Sequence, residues 1–253
     1  MRIKDGIIGL KKSDQPLAKV IYTILKFCWH LTKLLTNSPY RSIYITGRKF
    51  GTIYYQRSFF TQTNRYPELF RQSQLYFENL PIPEILSFGC STGEEVFTIG
   101  EYLPNALVFG VDINAWCIKQ CKKKYKNLRF VFNHSLSKEF DKSGNFDAVF
   151  CLAVFQRTEN RTDISEKAQG LTFEQFENQI AILDEKLKSD GLFIIDHADF
   201  SFADTACAIN YKPLNFETNA IQRSRPLFDK YNNKTAETQM QFRIFVKQKP
   251  DKL

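Results

Sequence analysis

Several familiar signals are missing from this 253-residue chain, and each absence removes a class of function. Its six cysteines (28, 90, 117, 121, 151 and 207) form no CxxC pair and no Cys/His cluster at zinc spacing. They therefore read as buried thiols in a reducing compartment and exclude a disulfide scaffold or a zinc module. Cys117 and Cys121 stand one helical turn apart, but without partners they read as packing residues. The opening Met-Arg-Ile-Lys has neither the apolar core nor the small-residue cleavage site of a signal peptide. No run of 18 uncharged apolar residues exists, so no transmembrane helix is expected. Repeats and low-complexity tracts are absent, and an apolar content of 43% argues against disorder. The expectation is a cytoplasmic chain, at most peripheral to a membrane, with one sizeable core.

What is present is unevenly charged. Residues 1–80 carry 13 Lys/Arg against 4 Asp/Glu, and residues 81–253 carry 22 against 23, so the excess is +9 in the first part and −1 in the second. This break divides the expected organisation into a basic, helical N-terminal extension (1–80) and a near-neutral domain (81–253). Within the extension, Lys19, Thr23, Lys26, His30 and Lys33 follow steps of four and three through an otherwise apolar stretch, Leu17 to Leu35. That spacing predicts a helix with one narrow basic stripe. It suits a helix packed on a core with its lysines snorkelling to water, and equally an anionic membrane surface or a phosphate-rich substrate. The following segment, residues 40–71, is rich in aromatics and arginines and could stack bases or cover a pocket.

From residue 84 the pattern alternates. Strands are expected at 84–88, 107–111, 128–132, 146–152, 192–196 and 241–247, and helices at 94–102, 114–125 and 172–188. Short apolar runs alternating with helices imply a mostly parallel sheet covered on both faces, with its ligand at the carboxyl ends of the strands. The interval 198–238 shows no strong period.

The first strand runs into Gly89-Cys-Ser-Thr-Gly-Glu-Glu95, and a carboxylate, Asp112, ends the second. A strand, a glycine-rich turn, a helix start and an acid roughly 20 residues on is the layout of a nucleotide-cofactor site. The loop is GxxxG and not GxGxxG, and Glu94 and Glu95 stand where a dinucleotide places its phosphates. Both features oppose an NAD(P)-dependent oxidoreductase, which remains one alternative. Acidic residues favour a cofactor carrying positive charge and no phosphate.

Residues 84 to about 247 resemble class I S-adenosylmethionine-dependent methyltransferases. The likeness rests on the loop Phe88 to Glu95, on Gly110-Val-Asp112-Ile-Asn114, on the fourth strand Phe146 to Phe155, and on the segment Leu183 to Asp196 with its Lys188-Ser-Asp-Gly191. The loop is also similar to that of chemotaxis-receptor glutamate methyltransferases, a likeness of about a dozen residues plus Phe150-Cys151. The resemblance implies a Rossmann-like, doubly wound, mostly parallel seven-stranded sheet and S-adenosyl-L-methionine as cofactor. It implies cofactor contacts from Gly89, Cys90, Ser91, Gly93, Glu95, Asp112, Ile113, His134 and Cys151. Asp112 would accept the ribose hydroxyls, Ile113 would pack beside the adenine, and His134 or Asn133 stands where many relatives carry an acid for the adenine amino group.

On the acceptor side the Asn/Asp-Pro-Pro-Tyr/Phe tetrapeptide of base N-methyltransferases is replaced by Cys151-Leu-Ala-Val-Phe-Gln156, which disfavours that chemistry. Positioning alone can supply much of the rate of methyl transfer, so a base is not obligatory. If one is used, His197, just past the fifth strand, is the best placed candidate. No metal is expected. The reading is a methyltransferase acting on an unidentified O or N acceptor that is a small molecule, lipid-linked or protein. A second alternative is a non-catalytic adaptor that retains the fold and binds nucleic acid or membrane through its basic extension.

Overall fold

The computed structural model describes residues 11, 13–156, 167–168, 170–223, 227–235 and 239–249. The first ten residues, which hold the opening Met-Arg-Ile-Lys, lie outside that range, as do 224–226 and 236–238 of the interval 198–238. The chain divides into two compact units, Met1–Lys49 and Phe50–Leu253. Residues 50–80 thus belong to the same unit as the sheet, although their charge matches the basic extension.

The first unit holds helix α1 (Pro16–Thr36) and most of α2 (Ser38–Phe50). Proline at the start of α1 suits the first turn, where its missing N–H costs nothing. Arg41 donates to the carbonyls of Leu34 and Leu35, two acceptors that a helix end otherwise leaves open.

The second unit runs α3 (Pro67–Tyr76), β1 (Glu84–Phe88), α4 (Glu94–Tyr102), β2 (Leu107–Asp112), α5 (Ala115–Lys124), β3 (Phe130–His134), α6 (Lys138–Asp141), β4 (Phe146–Leu152), α7 (Phe173–Glu185), β5 (Leu187–Asp196), β6 (Tyr211–Pro213), β7 (Ala220–Arg223), β8 (Gln239–Phe242) and β9 (Ile244–Lys247). One seven-stranded sheet has the order β3-β2-β1-β4-β5-β9-β6, and β7 pairs with β8 in a separate ribbon. The first five strands are parallel, while β9 runs antiparallel to both β5 and β6.

Both faces of the sheet are covered, which is why its strands read as continuous apolar runs. Alternate residues feed opposite cores: Ile85, Ala148, Phe150, Leu192 and Ile194 lie on one face with Leu69 of α3, Val96 of α4 and Ile118 of α5. Leu86, Val149, Cys151, Phe193 and Ile195 lie on the other with Phe176, Ile180 and Leu183 of α7. Thr172 caps α7 in a reciprocal capping box with Gln175.

The seven-stranded, mostly parallel sheet matches the expectation, but the fifth strand begins at Leu187 and not at residue 192, the helix before it ends at Glu185 and not at residue 188, and three further details differ. The expected strand 241–247 breaks at Arg243 into β8 and β9, which belong to different sheets. The cause is local: the Arg243 N–H donates to the Asn219 side chain, and its own side chain is buried against Glu68 and Asp196. The third strand begins at Phe130 and not at residue 128, since Leu128 is almost fully exposed. The unpatterned interval after β5 contains two short 3-10 turns, β6 and β7.

Candidate cofactor site

The strand order reverses direction of growth at β1 and β4, so the loop after β1 opens at the crevice where open α/β sheets place their ligands. Gly89 and Gly93 have φ of 77° and 93°, backbone conformations that L side chains resist. A Cβ at Gly89 would collide with Val154 beyond β4, so the glycine also sets the spacing between the two loops. The Gly89 and Cys90 N–H groups donate to the Val111 carbonyl at 2.8 and 2.9 Å, tying the loop to β2.

Asp112 stands at the tip of β2 with its carboxylate held on both sides. Oδ2 accepts from the Ser91 N–H at 2.9 Å and Oδ1 from the Asn114 N–H at 2.7 Å. Ser91 itself is left-handed, at φ 49°, which aims its N–H at that carboxylate. Burial pushes the Asp112 carboxyl up to about 6 against the lowering effect of these two bonds. Each carboxylate oxygen retains a lone pair, so the group still offers two acceptors to a ligand diol.

The two glutamates after the loop have different roles. Glu94 is partly buried, but its bonds to Lys124 (2.8 Å) and Thr92 (2.6 Å) outweigh that and lower its pKa. Glu95 turns inward, accepting from the Ser87 hydroxyl at 2.8 Å. Burial pushes its carboxyl up to about 7, moderated by Ser87 and the charge of Arg65. A half-buried carboxylate with no ion pair within 4 Å among the described residues is hostile to phosphate and receptive to a cation.

The other expected residues are distributed unevenly. His134 sits opposite Asp112 in the β2–β3 register, with Nδ1 accepting from the Leu136 N–H at 3.1 Å and its ring 5.7 Å from that of Phe50. Ile113 lies half-buried between Asp112 and Asn114. The Cys90 side chain points into the core, where hydrogen bonding to the Cys121 thiol and burial raise its pKa; only its backbone belongs to the loop. Cys151 is fully buried in β4 and its thiol is raised by burial, beside the charge of Glu95.

Sequence reasoning marked residues 40–71 as able to stack bases or cover a pocket but assigned none of them a cofactor contact, and segment 50–66 borders the loop and Asp112. Tyr54 is buried against Asn114 and Asp112, and burial pushes its hydroxyl up to about 12. The Phe59 ring stacks on Trp116 at 5.2 Å and its carbonyl accepts from the Ser91 hydroxyl. Gln56 reaches the Ala153 carbonyl at 3.5 Å, beyond β4. Aromatic density was the one signal of this cover.

At the other end of the carboxyl edge, His197 follows β5 with φ 53°. Its Nδ1 lies 3.2 Å from the Tyr66 hydroxyl and 3.2 Å from Asp196 Oδ1. The buried Arg243 guanidinium stands 3.6 Å from Asp196 Oδ2 and 2.5 Å from Glu68. A small pocket opens there, lined by His197, Phe200, Phe202, Ile221, Phe242 and Arg243 among others. Asp112 and His197 are separated by β1 and β4, roughly 14 Å at the usual strand spacing. The carboxyl edge thus has a loop-and-acid end and a histidine-pocket end.

Residues 86–172 match the family model of a methyltransferase domain. That segment, about a third of the chain, contains the glycine loop, Asp112 and β4. Among curated proteins, none matches this sequence. Similar solved structures include magnesium protoporphyrin IX methyltransferase from Synechocystis PCC 6803 with bound SAM. It shows 13% identity over 84% of this chain and 85% of that one, with a TM-score of 0.45. The plantazolicin methyltransferase BpumL in complex with SAH shows 17% identity over 66% of this chain and 56% of that one, at a TM-score of 0.37. PKMT2 from Rickettsia typhi in complex with AdoHcy shows 20% identity over 54% of this chain, at a TM-score of 0.39. The chain spans 56% of the length of BpumL and 25% of that of PKMT2. Among the described residues no helix is long and apolar enough to cross a membrane, and no group of three or more His, Cys, Asp or Glu could hold a metal ion.

Proposed function

We propose that the chain is an S-adenosylmethionine-dependent methyltransferase acting on an oxygen or nitrogen acceptor, a small molecule, lipid-linked group or protein. The observation that carries this reading is the pairing of a glycine loop at the sheet's switch point with two half-buried carboxyls, Asp112 held by the loop's Ser91 N–H and Glu95 turned in onto Ser87, inside a segment that matches a methyltransferase domain. The residues fit the cofactor: Gly89 and Gly93 clear the backbone for close approach, Asp112 keeps lone pairs for a diol, and Glu95 offers negative charge to a cationic group. When bound, the cofactor supplies an electrophilic methyl on a positively charged sulfur.

The chain's own residues do the rest. Asp112, fixed by Ser91 and Asn114, orients the ribose; Ile113, His134 and the Phe59–Trp116 stack bound the adenine side. The backbone at Gly89, Cys90, Ser91 and Gly93 together with Glu95 holds the methionine end, with Cys151 behind it as packing. Segment 50–66 excludes water from this end, which strengthens every charge interaction inside. His197 takes the acceptor's proton, its ring oriented through Nδ1 by Tyr66 and Asp196. The short likeness to glutamate methyltransferases of chemotaxis makes a carboxylate one acceptor to try first. Residues 1–80, with their excess of positive charge, are the part that meets a polyanionic partner or surface.

Two measurements test this. Calorimetry should show S-adenosylhomocysteine binding that Asp112→Ala weakens by tenfold or more; a change within about twofold would sink the cofactor assignment. Labelled methyl from S-adenosylmethionine should pass to one class in a fractionated lysate, and no transfer to any class would leave an adaptor.

A further inference from the structure

Residues 15–67 contain no aspartate or glutamate but eight Lys/Arg, and the first unit contributes most of this stretch. Within α1, Lys19, Thr23, Lys26, His30 and Lys33 fall in an arc of about 80° at 100° per residue. A second arc, centred about 120° away, carries Leu17, Val20, Ile24, Phe27, Leu31 and Leu35, at spacings of three and four. These six side chains are exposed, Leu17 by 70% and Leu35 by 78%, a contiguous apolar face that water does not favour. The helix hydroxyls turn inward: Thr23, Thr32 and Thr36 donate to the carbonyls four residues back at 2.8–2.9 Å. Such back-bonding satisfies each hydroxyl without water. His30 Nδ1 meets the Tyr40 hydroxyl at 2.8 Å and its ring lies 4.9 Å from that of Tyr44, so α1 and α2 form a fixed hairpin.

We propose that α1 lies in the plane of an anionic bilayer, with the Leu17–Leu35 face in the acyl boundary and Lys19, Lys26 and Lys33 at headgroup level. The proposal rests on the reading of residues 1–80 as the partner-facing part of the chain and is independent of methyl transfer. Three observations select this occupant. Lysine recurs every two turns along the whole helix, which opposes a spanning arrangement. The exposed apolar arc carries no cation, so it offers nothing to a nucleic-acid backbone, whereas it matches the acyl region of a lipid surface. The flanking lysines have stems long enough to keep their ammonium groups in the headgroups, and no acidic residue from 15 to 67 repels that surface.

The test uses the full chain and vesicles of phosphatidylcholine alone or with roughly 30% phosphatidylglycerol, a surface charge in the range of anionic leaflets. The expected result is sedimentation with the anionic vesicles only, weakening as salt rises. Replacing Lys19, Lys26 and Lys33 together by glutamine should weaken binding about a hundredfold, and Ile24→Ser with Phe27→Ser at least tenfold. Binding to neither vesicle, equal binding to both, or duplex DNA binding tighter than vesicle binding with the same lysine dependence would each overturn the proposal. S-adenosylhomocysteine calorimetry on the same variants, expected to be unchanged, separates lost docking from lost folding. If the native chain docks on vesicles but binds no S-adenosylhomocysteine, the cofactor reading fails and this one stands.

Discussion

Glu95 offers the sharpest test of the cofactor end, because its proton couples stability to ligand binding. Its carboxyl is raised from 4.5 to about 7, mainly by burial, with the Ser87 hydroxyl and the Arg65 charge opposing. Between those two values the folded state holds a proton that the unfolded chain has released. Stability therefore falls as pH rises through the window, by at most about 2.5 × 1.36, or on the order of 3 kcal/mol, less whatever solvent reaches the group. Glu95→Gln removes the titration, so its urea-derived stability should match the native protein at pH 5 and exceed it by about 2 kcal/mol at pH 8. Binding runs the other way. The ammonium group of S-adenosylhomocysteine favours the ionised carboxylate, so affinity should rise with pH as the proton is displaced. If the bound group returns to its ordinary value, S-adenosylhomocysteine should bind roughly 50- to 100-fold more weakly at pH 5 than at pH 8. Calorimetry in two buffers of different ionisation heat should register proton release near pH 6.5. The Glu95→Gln profile should be flatter, with affinity at pH 8 reduced at least tenfold; the residual slope comes from Asp112, raised to about 6. Equal enthalpies in both buffers, or a glutamine variant that binds as tightly as the native chain at pH 8, would refute the inward role of Glu95.

Asp112→Asn should keep the acceptor for one backbone N–H but place an amide against the other, weakening S-adenosylhomocysteine at least tenfold by calorimetry while lowering stability by about 1–2 kcal/mol. Gly89→Ala must bear both the left-handed backbone and the clash with Val154, for about 2–4 kcal/mol by chemical denaturation, and adding Val154→Ala should recover part of that loss. Arg243→Leu strands the buried Asp196 carboxylate and removes the partner of Glu68, so stability should fall by about 3–5 kcal/mol in urea; a loss under about 1 kcal/mol would show that the network is not held by charge.

The parallel sheet and the loop were legible because burial on both faces forces continuous apolar runs, and because a turn with two left-handed glycines leaves its composition in the sequence. Asp112 was legible for the same reason: a carboxylate at a strand tip has little structural excuse. Glu94 and Glu95 were not separable, since the difference is made by Lys124, about thirty residues on, which takes Glu94 outward and leaves the inward place to its neighbour. The break at Arg243 was hidden because 241–247 reads as one strand until Asn219 and Glu68, distant in sequence, are brought to it. Coil leaves no period at all, so the segment from Tyr54 to Tyr66 could be seen only as aromatic.

That segment also explains why charge and contact divide the chain differently. The change in net charge falls near residue 80, whereas the compact unit around the sheet begins at Phe50. Residues 50–80 share the positive sign of the extension, yet Leu69 and Phe70 are buried in the core of the sheet, Phe70 stacking on Phe150 at 5.7 Å. Arg65 shows how both are satisfied at once. It lies against the rings of Phe60 and Tyr66 and lends its charge to Glu95, so a residue counted with the basic extension stabilises the anion of the cofactor end. Sign of charge follows what a surface meets; membership of a unit follows apolar burial. Where the two disagree, as between 50 and 80, a positively charged segment is held to the sheet by its apolar side chains, Leu69 and Phe70 among them.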